Sequence, residues 1–201
     1  MQYPVFKPEM KDSYTILVPD MLPVHFKLII NILKKYGYNV ELLQTSTREV
    51  VDEGLKNVHN DTCYPALLVI GQFINALKSG KYDVNKTALM LTQTGGGCRA
   101  SNYIHLLRKA LKKEFPQVPV ISLNLSGLEK GNGLDLTLPL LIKVVYAVFY
   151  GDLLMSLYNQ CKPYEINKGD TDKMRDLWQQ KLIPIFDKRE FLSLIHISEP
   201  T

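Results

Sequence analysis

The chain has 201 residues, 46% of them hydrophobic and 22% charged, with a formal net charge of +4. This composition fits a globular protein with one well-buried domain plus an appendage, and it excludes a disordered chain. The lysines are scattered rather than gathered in a block, which argues against nucleic acid as a partner, and three cysteines are too few for a disulfide framework, so a reducing cytoplasm is the default.

Residues 1–13 read as an extended lead-in, with Met1 running straight into Gln2-Tyr3-Pro4-Val5-Phe6-Lys7-Pro8 as an internal methionine of a longer protein would. The apolar run 14–19, closed by Pro19 and a turn at 20–23, predicts a buried strand. Phe26, Ile29, Ile30 and Leu33 then recur at helical spacing, with Lys27, Lys34 and Lys35 mostly on the other face and Gly37 just past the end. A second strand is expected over 38–43. A helix follows over 47–59, with Ser46 or Thr47 as its cap and Val50, Val51, Leu55 and Val58 as its apolar stripe.

The segment His59-Asn60-Asp61-Thr62-Cys63-Tyr64-Pro65-Ala66 opens a strongly apolar helix that runs to Gly80. Asp61 or Thr62 is expected to cap it and Pro65 to occupy its first turn, which puts Cys63 at a helix N-terminus. A strand over 87–94 then ends abruptly in Gly95-Gly96-Gly97-Cys98-Arg99-Ala100-Ser101-Asn102-Tyr103, after which a helical pattern continues to about 113. Strand, glycine turn and helix in that order bring backbone N–H groups close to a bound anion. A phosphate loop would go on to Lys and Ser/Thr; here Cys98 stands instead, so the turn offers a thiolate, and a metal cluster suits it better than a nucleotide.

A further strand, 118–124, is entered through Pro116. Strand and helix alternate over 14–135, which predicts an α/β domain with a doubly wound parallel sheet and right-handed crossovers. Ligands of such sheets bind outside the carboxyl ends of the strands. Cys98 lies at that edge directly, and Cys63 is expected to face the same way. From 136 to 190 the chain reads as a C-terminal helical segment: a long helix over 136–158 and a last one over 171–186 carrying Trp178. Pro139, Lys143, Gly151 and Asp152 interrupt the longer one, so it is expected to be a buried helix and no membrane is called for. Residues 191–201, with Leu192-Ser-Leu-Ile-His-Ile-Ser-Glu-Pro-Thr201, read as the in-frame translation of a transposase-end sequencing adapter and are set apart from the fold.

Two cysteines at two helix N-termini, where the dipoles favour thiolate, are candidate ligands of a soft metal, most simply of an iron–sulfur cluster. The competing reading makes Cys63 a small core residue and Cys98 a turn filler. Zinc fits less well, since structural zinc takes four protein ligands. The amides of Gly96 and Gly97 and the side chains of Arg99 and Asn102 are candidate donors to the cluster, although Arg99 would serve equally in a carboxylate pair. His59 is a loop histidine with a structural or solvated role as the alternative to proton donation, and Asp61 is more a cap than a base. His25 and His105 fall within helices and are given no role. Residues 124–132 follow a strand at the same edge and could close over the site.

The segments HNDTCYPALLVIGQFINALKSGKYD and TQTGGGCRASNYIHLLRKALKK resemble the C-terminal region of the large activase-related proteins of the 2-hydroxyacyl-CoA dehydratase system, whose relatives include the dehydratase subunits and the double-cubane-cluster proteins. The likeness covers about residues 3–188. It implies flavodoxin-like domains whose cysteines hold a four-iron four-sulfur cluster, with Cys63 and Cys98 as ligands, and low-potential electron transfer supporting dehydration of a 2-hydroxyacyl-CoA. It also implies three protein ligands per cluster. Cys161 is the remaining thiol, but its neighbourhood, Tyr158-Asn-Gln-Cys-Lys-Pro-Tyr-Glu165, does not resemble a ligand motif, and the alternative is a ligand from a longer natural chain or from another chain. The expected partners are the remainder of a longer chain or a dehydratase or activator subunit, with an acyl-CoA as substrate and self-association into a homo-oligomer left open. The phosphate-binding glycine motifs of the activator ATPase have no counterpart in this sequence. The alternative function is a non-catalytic flavodoxin-like interaction domain whose apolar C-terminal helices dock a partner and whose cysteines are structural.

Overall fold

The computed structural model describes residues 3–44, 46–59, 61–93, 102–124, 134 and 137–188. The chain divides into two compact units, Met1–Met21 with Gly37–Leu136, and Leu22–Tyr36 with Thr137–Thr201.

In the first unit four strands form one sheet: β1 (Thr15–Pro19), β2 (Val40–Leu43), β3 (Thr87–Gln93) and β4 (Val120–Asn124). Their order is β2-β1-β3-β4 and every pair is parallel. Ile16 lies opposite Val40, Thr15 opposite Thr87 and Leu89 opposite Val120. This is the strand order of a flavodoxin-like doubly wound fold, with the switch in direction between β1 and β3. The strands are continuous apolar runs because a parallel sheet is covered on both faces: Leu17, Leu89 and Leu91 are buried on one side, and Ile16, Val18, Ala88 and Met90 are buried as well.

Three helices belong to this unit, α2 (Arg48–Asn57), α3 (Tyr64–Lys78) and α4 (Tyr103–Glu114), so β2 is linked to β3 by a pair of helices. Ile70, Phe73 and Ile74 of α3 share one core with Leu17 and Leu89 of the sheet and with Ile104 and Leu107 of α4. The pair α2 and α3 meets backbone to backbone. A Cβ at Gly71 would overlap the Val50 carbonyl oxygen, and one at Gly54 would overlap that of Leu67, so glycine at both positions is what permits the approach. At the far end of α3, Lys78 reaches Glu53 of α2 at 2.9 Å and Glu114 of α4 at 2.8 Å. The lead-in is more than an extended strand. A single 3-10 turn forms at Pro8–Met10, and Phe6 is buried edge-on against the Tyr14 ring, because a large aromatic gains more from cover than from solvent.

The second unit holds α5 (Leu138–Cys161), α6 (Asp170–Lys188) and, although it directly follows β1 in sequence, α1 (Pro23–Lys35). His25 Nε2 and Asp152 Oδ1 are 2.9 Å apart, with Gly151 directly beneath the imidazole. Gln179 Nε2 donates to the Val24 carbonyl at 2.9 Å, and Tyr150 meets Phe186 edge to face. The turn between α5 and α6 is held by Glu165, which accepts from Lys162 Nζ at 2.9 Å and from the Gly169 N–H at 3.0 Å.

The expectation that the long apolar helix is buried does not hold. Leu138, Ile142, Val145, Tyr146, Val148 and Phe149 of α5 are all exposed, because the helix is apolar around its whole circumference and α1 and α6 cover only part of it. The segment Leu138–Tyr164 is long and apolar enough to cross a membrane by length and composition, and only 28% of its most apolar window is buried.

Candidate functional site

The carboxyl ends of the strands are where the chain places its unusual polar contacts. The Asp20 N–H, one residue beyond β1, donates to Oε1 of Gln72, a buried side chain of α3, at 3.3 Å. Gln93, the last residue of β3, accepts at 2.9 Å from the hydroxyl of Ser122, which is also buried. Since Lys78 at the other end of α3 meets the last residue of α4, α3 runs antiparallel to the strands. Its N-terminus, nine residues before Gln72, therefore lies about 14 Å further out on the carboxyl side at 1.5 Å per residue.

Cys63 occupies that N-terminus. It is itself the cap residue of α3, with extended backbone (φ −59°, ψ 144°), and its carbonyl accepts from the N–H groups of Ala66 and Leu67. This corrects the expectation that Asp61 or Thr62 caps the helix: the Thr62 N–H is spent in a turn on the His59 carbonyl, so the helix starts one residue later. Pro65 sits in the first turn as expected, where a missing N–H costs nothing. His59 and Asp61 are exposed and within 3.3 Å of each other, which fits a solvated local pair.

The Cys63 sulfur is half-buried and lies 2.9 Å from the phenol oxygen of Tyr103. Tyr103 is the first residue of α4, five positions after Cys98, and its ring is buried in the core with Ile104 and Leu107. The first cysteine motif is thus in contact with the end of the second. Tyr103 was not among the residues singled out by sequence; the only trace of it there is an aromatic residue at the first helical position after a glycine turn.

Gly96, Gly97, Cys98 and Arg99, with the rest of 94–101, lie outside the described residues, as does most of 124–132. Asn102 is exposed at the cap position of α4 and makes no capping bond through its side chain. Cys161 is an exposed free thiol, the last residue of α5 and a member of the second unit. There it borders an open groove of about 700 Å³ with Leu157, Tyr158, Tyr164, Met174 and Trp178. Among the described residues no group of three or more His, Cys, Asp or Glu side chains is arranged to hold a metal ion.

For an iron–sulfur cluster the described donor is therefore the Cys63 sulfur. It fits one ligand position: a soft, half-buried atom at the N-terminus of a 15-residue helix, 2.9 Å from a hydroxyl. Comparison of the chain with protein-family models, with curated proteins and with solved structures finds no match.

Proposed function

We propose that the chain is an iron–sulfur module of an activase-related protein of the 2-hydroxyacyl-CoA dehydratase type, in which Cys63 and Cys98 are ligands of a four-iron four-sulfur cluster. The observation that supports this reading is the contact of Cys63 with Tyr103, since it ties the start of α3 to the start of the helix that follows the GGGC turn. When bound, such a cluster supplies a low-potential electron. The chain's own residues would supply two sulfurs, the partial positive charge of two helix N-termini, and the amides of 96–99 as donors that tune the site. Cys161 is kept as a candidate third ligand; a dehydratase or activator subunit is the proposed partner, a 2-hydroxyacyl-CoA the proposed substrate of the system, and the cytoplasm the proposed compartment, because free cysteines and a reduced cluster need a reducing one.

The exposed apolar side chains of α5 favour a second reading, a docking module with structural cysteines. One experiment separates the two. The full chain and its Cys63→Ser, Cys98→Ser and Cys161→Ser variants are reconstituted without oxygen and assayed for iron, acid-labile sulfide and visible absorption. The cluster reading expects a brown protein with stoichiometric iron and sulfide, lost in the first two variants. A colourless protein that Cys63→Ser leaves unchanged would overturn it in favour of the docking module.

A further inference from the structure

We infer that the exposed face of α5 seats a second copy of this chain, the two α5 helices packing antiparallel about a two-fold axis between Ile142 and Val145. The inference concerns the second unit alone and holds whether or not the chain carries a cluster.

Spacing identifies the occupant. Leu138, Ile142, Val145 and Phe149 are exposed and follow one another at intervals of four, three and four residues, which sets them in one line along the helix. Those are the intervals of a helix-on-helix seam, in which each side chain enters a hole on the facing helix. The order of the intervals reads the same in both directions, so the seam fits its own copy turned end for end. Leu138 then meets the second copy's Phe149, and Ile142 meets the second copy's Val145. Leu138 and Phe149 are 69% and 57% exposed, and Ile142 and Val145 43% and 42%. With Tyr146 and Val148 on its flanks the face leaves about 600 Å² open per copy, so a pair buries about 1,200 Å², where specific interfaces begin.

Charge sets the direction. Lys143 and Asp152 are the two charged residues of α5. Lys143 is turned toward α1, its ammonium 5.6 Å from the centre of the Tyr36 ring. Asp152 follows Phe149 by three residues on the line of the seam, its side chain 61% exposed and one oxygen held 2.9 Å from His25 Nε2. A parallel pair would set the two Asp152 carboxylates against each other. In the antiparallel pair each lies beside the start of the other copy's α5, where the cap residue Thr137 makes no side-chain bond and the first N–H groups carry partial positive charge. Beyond Asp152 the same side of the helix is polar, with Ser156, Asn159 and Gln160 exposed. The apolar run is therefore about 17 Å long at 1.5 Å per residue, well short of the roughly 30 Å of a bilayer core.

The test is the oligomeric state of the full chain, measured by sedimentation equilibrium in reductant so that Cys161 cannot link copies. A dimer with a dissociation constant of about 10 µM is expected, the weak end for so small an interface. Val145→Glu brings a carboxylate onto the second copy's Ile142 twice per pair and should weaken association at least about a hundred-fold, with the far-UV circular dichroism unchanged. Phe149→Ala adds no charge and should weaken it about ten-fold, which decides the matter should Val145→Glu not fold. Ile166→Glu, at an apolar side chain 98% exposed outside α5, should leave the dimer intact. Direction is read by mixing Leu138→Cys with Phe149→Cys, oxidising, and sequencing the linked peptides. A link from 138 to 149 is expected, and a link from 138 to 138 in Leu138→Cys alone would overturn the antiparallel seam. A full chain still monomeric at about 100 µM, ten times the expected constant, would overturn the inference. Sedimentation of that monomer with phosphatidylcholine vesicles would then assign the face to lipid, and its staying in solution would assign it to the remainder of a longer chain. A dimer that both Val145→Glu and Phe149→Ala leave intact would also overturn the inference, by placing the interface elsewhere. Iron and sulfide are assayed separately, so failure of the dimer leaves the iron–sulfur reading standing, and the reverse.

Discussion

Gly71→Ala is the sharpest probe of the scaffold that places Cys63, because α3 carries that residue and is seated on α2 through Gly71. A methyl group there would overlap the Val50 carbonyl oxygen, with the Val50 carbonyl carbon at 3.0 Å and the Gly54 nitrogen at 3.1 Å. All three are backbone atoms, so no side chain can swing aside and α2 must move bodily. Overpacking of this kind costs about 3 kcal/mol, at the upper end of its usual range. Replacing glycine by alanine inside a helix returns about 1 kcal/mol. The net loss is about 2 kcal/mol, which for a chain of this size lowers the melting temperature by about 4–8 °C. Thermal denaturation followed by circular dichroism measures it. Adding Val50→Ala should bring no rescue, since the obstacle is the carbonyl and not the side chain. A Gly71→Ala protein as stable as wild type would refute the backbone-to-backbone seating, and rescue by Val50→Ala would show that the side chain was the obstacle.

Gly151→Ala should behave in the opposite way: its methyl group would strike the imidazole of His25, a side chain, and the cost of about 1–3 kcal/mol should be partly relieved in Gly151→Ala/His25→Ala. Melts of the four proteins in that cycle should give a coupling of about 1 kcal/mol, and strict additivity would contradict the contact. The Glu165 carboxyl is held down to about 2, first by the Lys162 ammonium and then by the Gly169 N–H. A carboxyl depressed on folding contributes fully above its ordinary range and loses that contribution as pH falls toward 2. Wild type should therefore melt above Glu165→Gln at pH 7, and the two should converge in acid; a gap that is independent of pH would exclude the Lys162 pairing as its source.

Much of the architecture was legible in the residues. Among the described residues, apolar runs located the four strands and helical spacing the six α-helices, with boundaries within three residues. Gly37, past the end of α1, does adopt a positive φ of 85°, a backbone conformation that glycine reaches without strain. The candidate site was legible only as two cysteines at two expected helix starts. For Cys63 that expectation holds, with Cys63 itself rather than Asp61 or Thr62 as the cap residue. Its contact with Tyr103 was not readable, because residues 40 positions apart meet only once the order of the strands and the seating of α3 and α4 are fixed.

By itself the sequence determined the alternation of strand and helix, the parallel sheet that alternation requires, and a cysteine at the mouth of a helix, since all three follow from local periodicity and from the few residues that start and stop helices. Tertiary structure alone decided that β1 lies between β2 and β3, that α1 belongs with α5 and α6, that α5 stands largely uncovered, and that the Tyr103 hydroxyl meets the Cys63 sulfur. The reason is the same in each case: a pattern of side chains states what must be covered, whereas what covers it depends on elements distant in the chain.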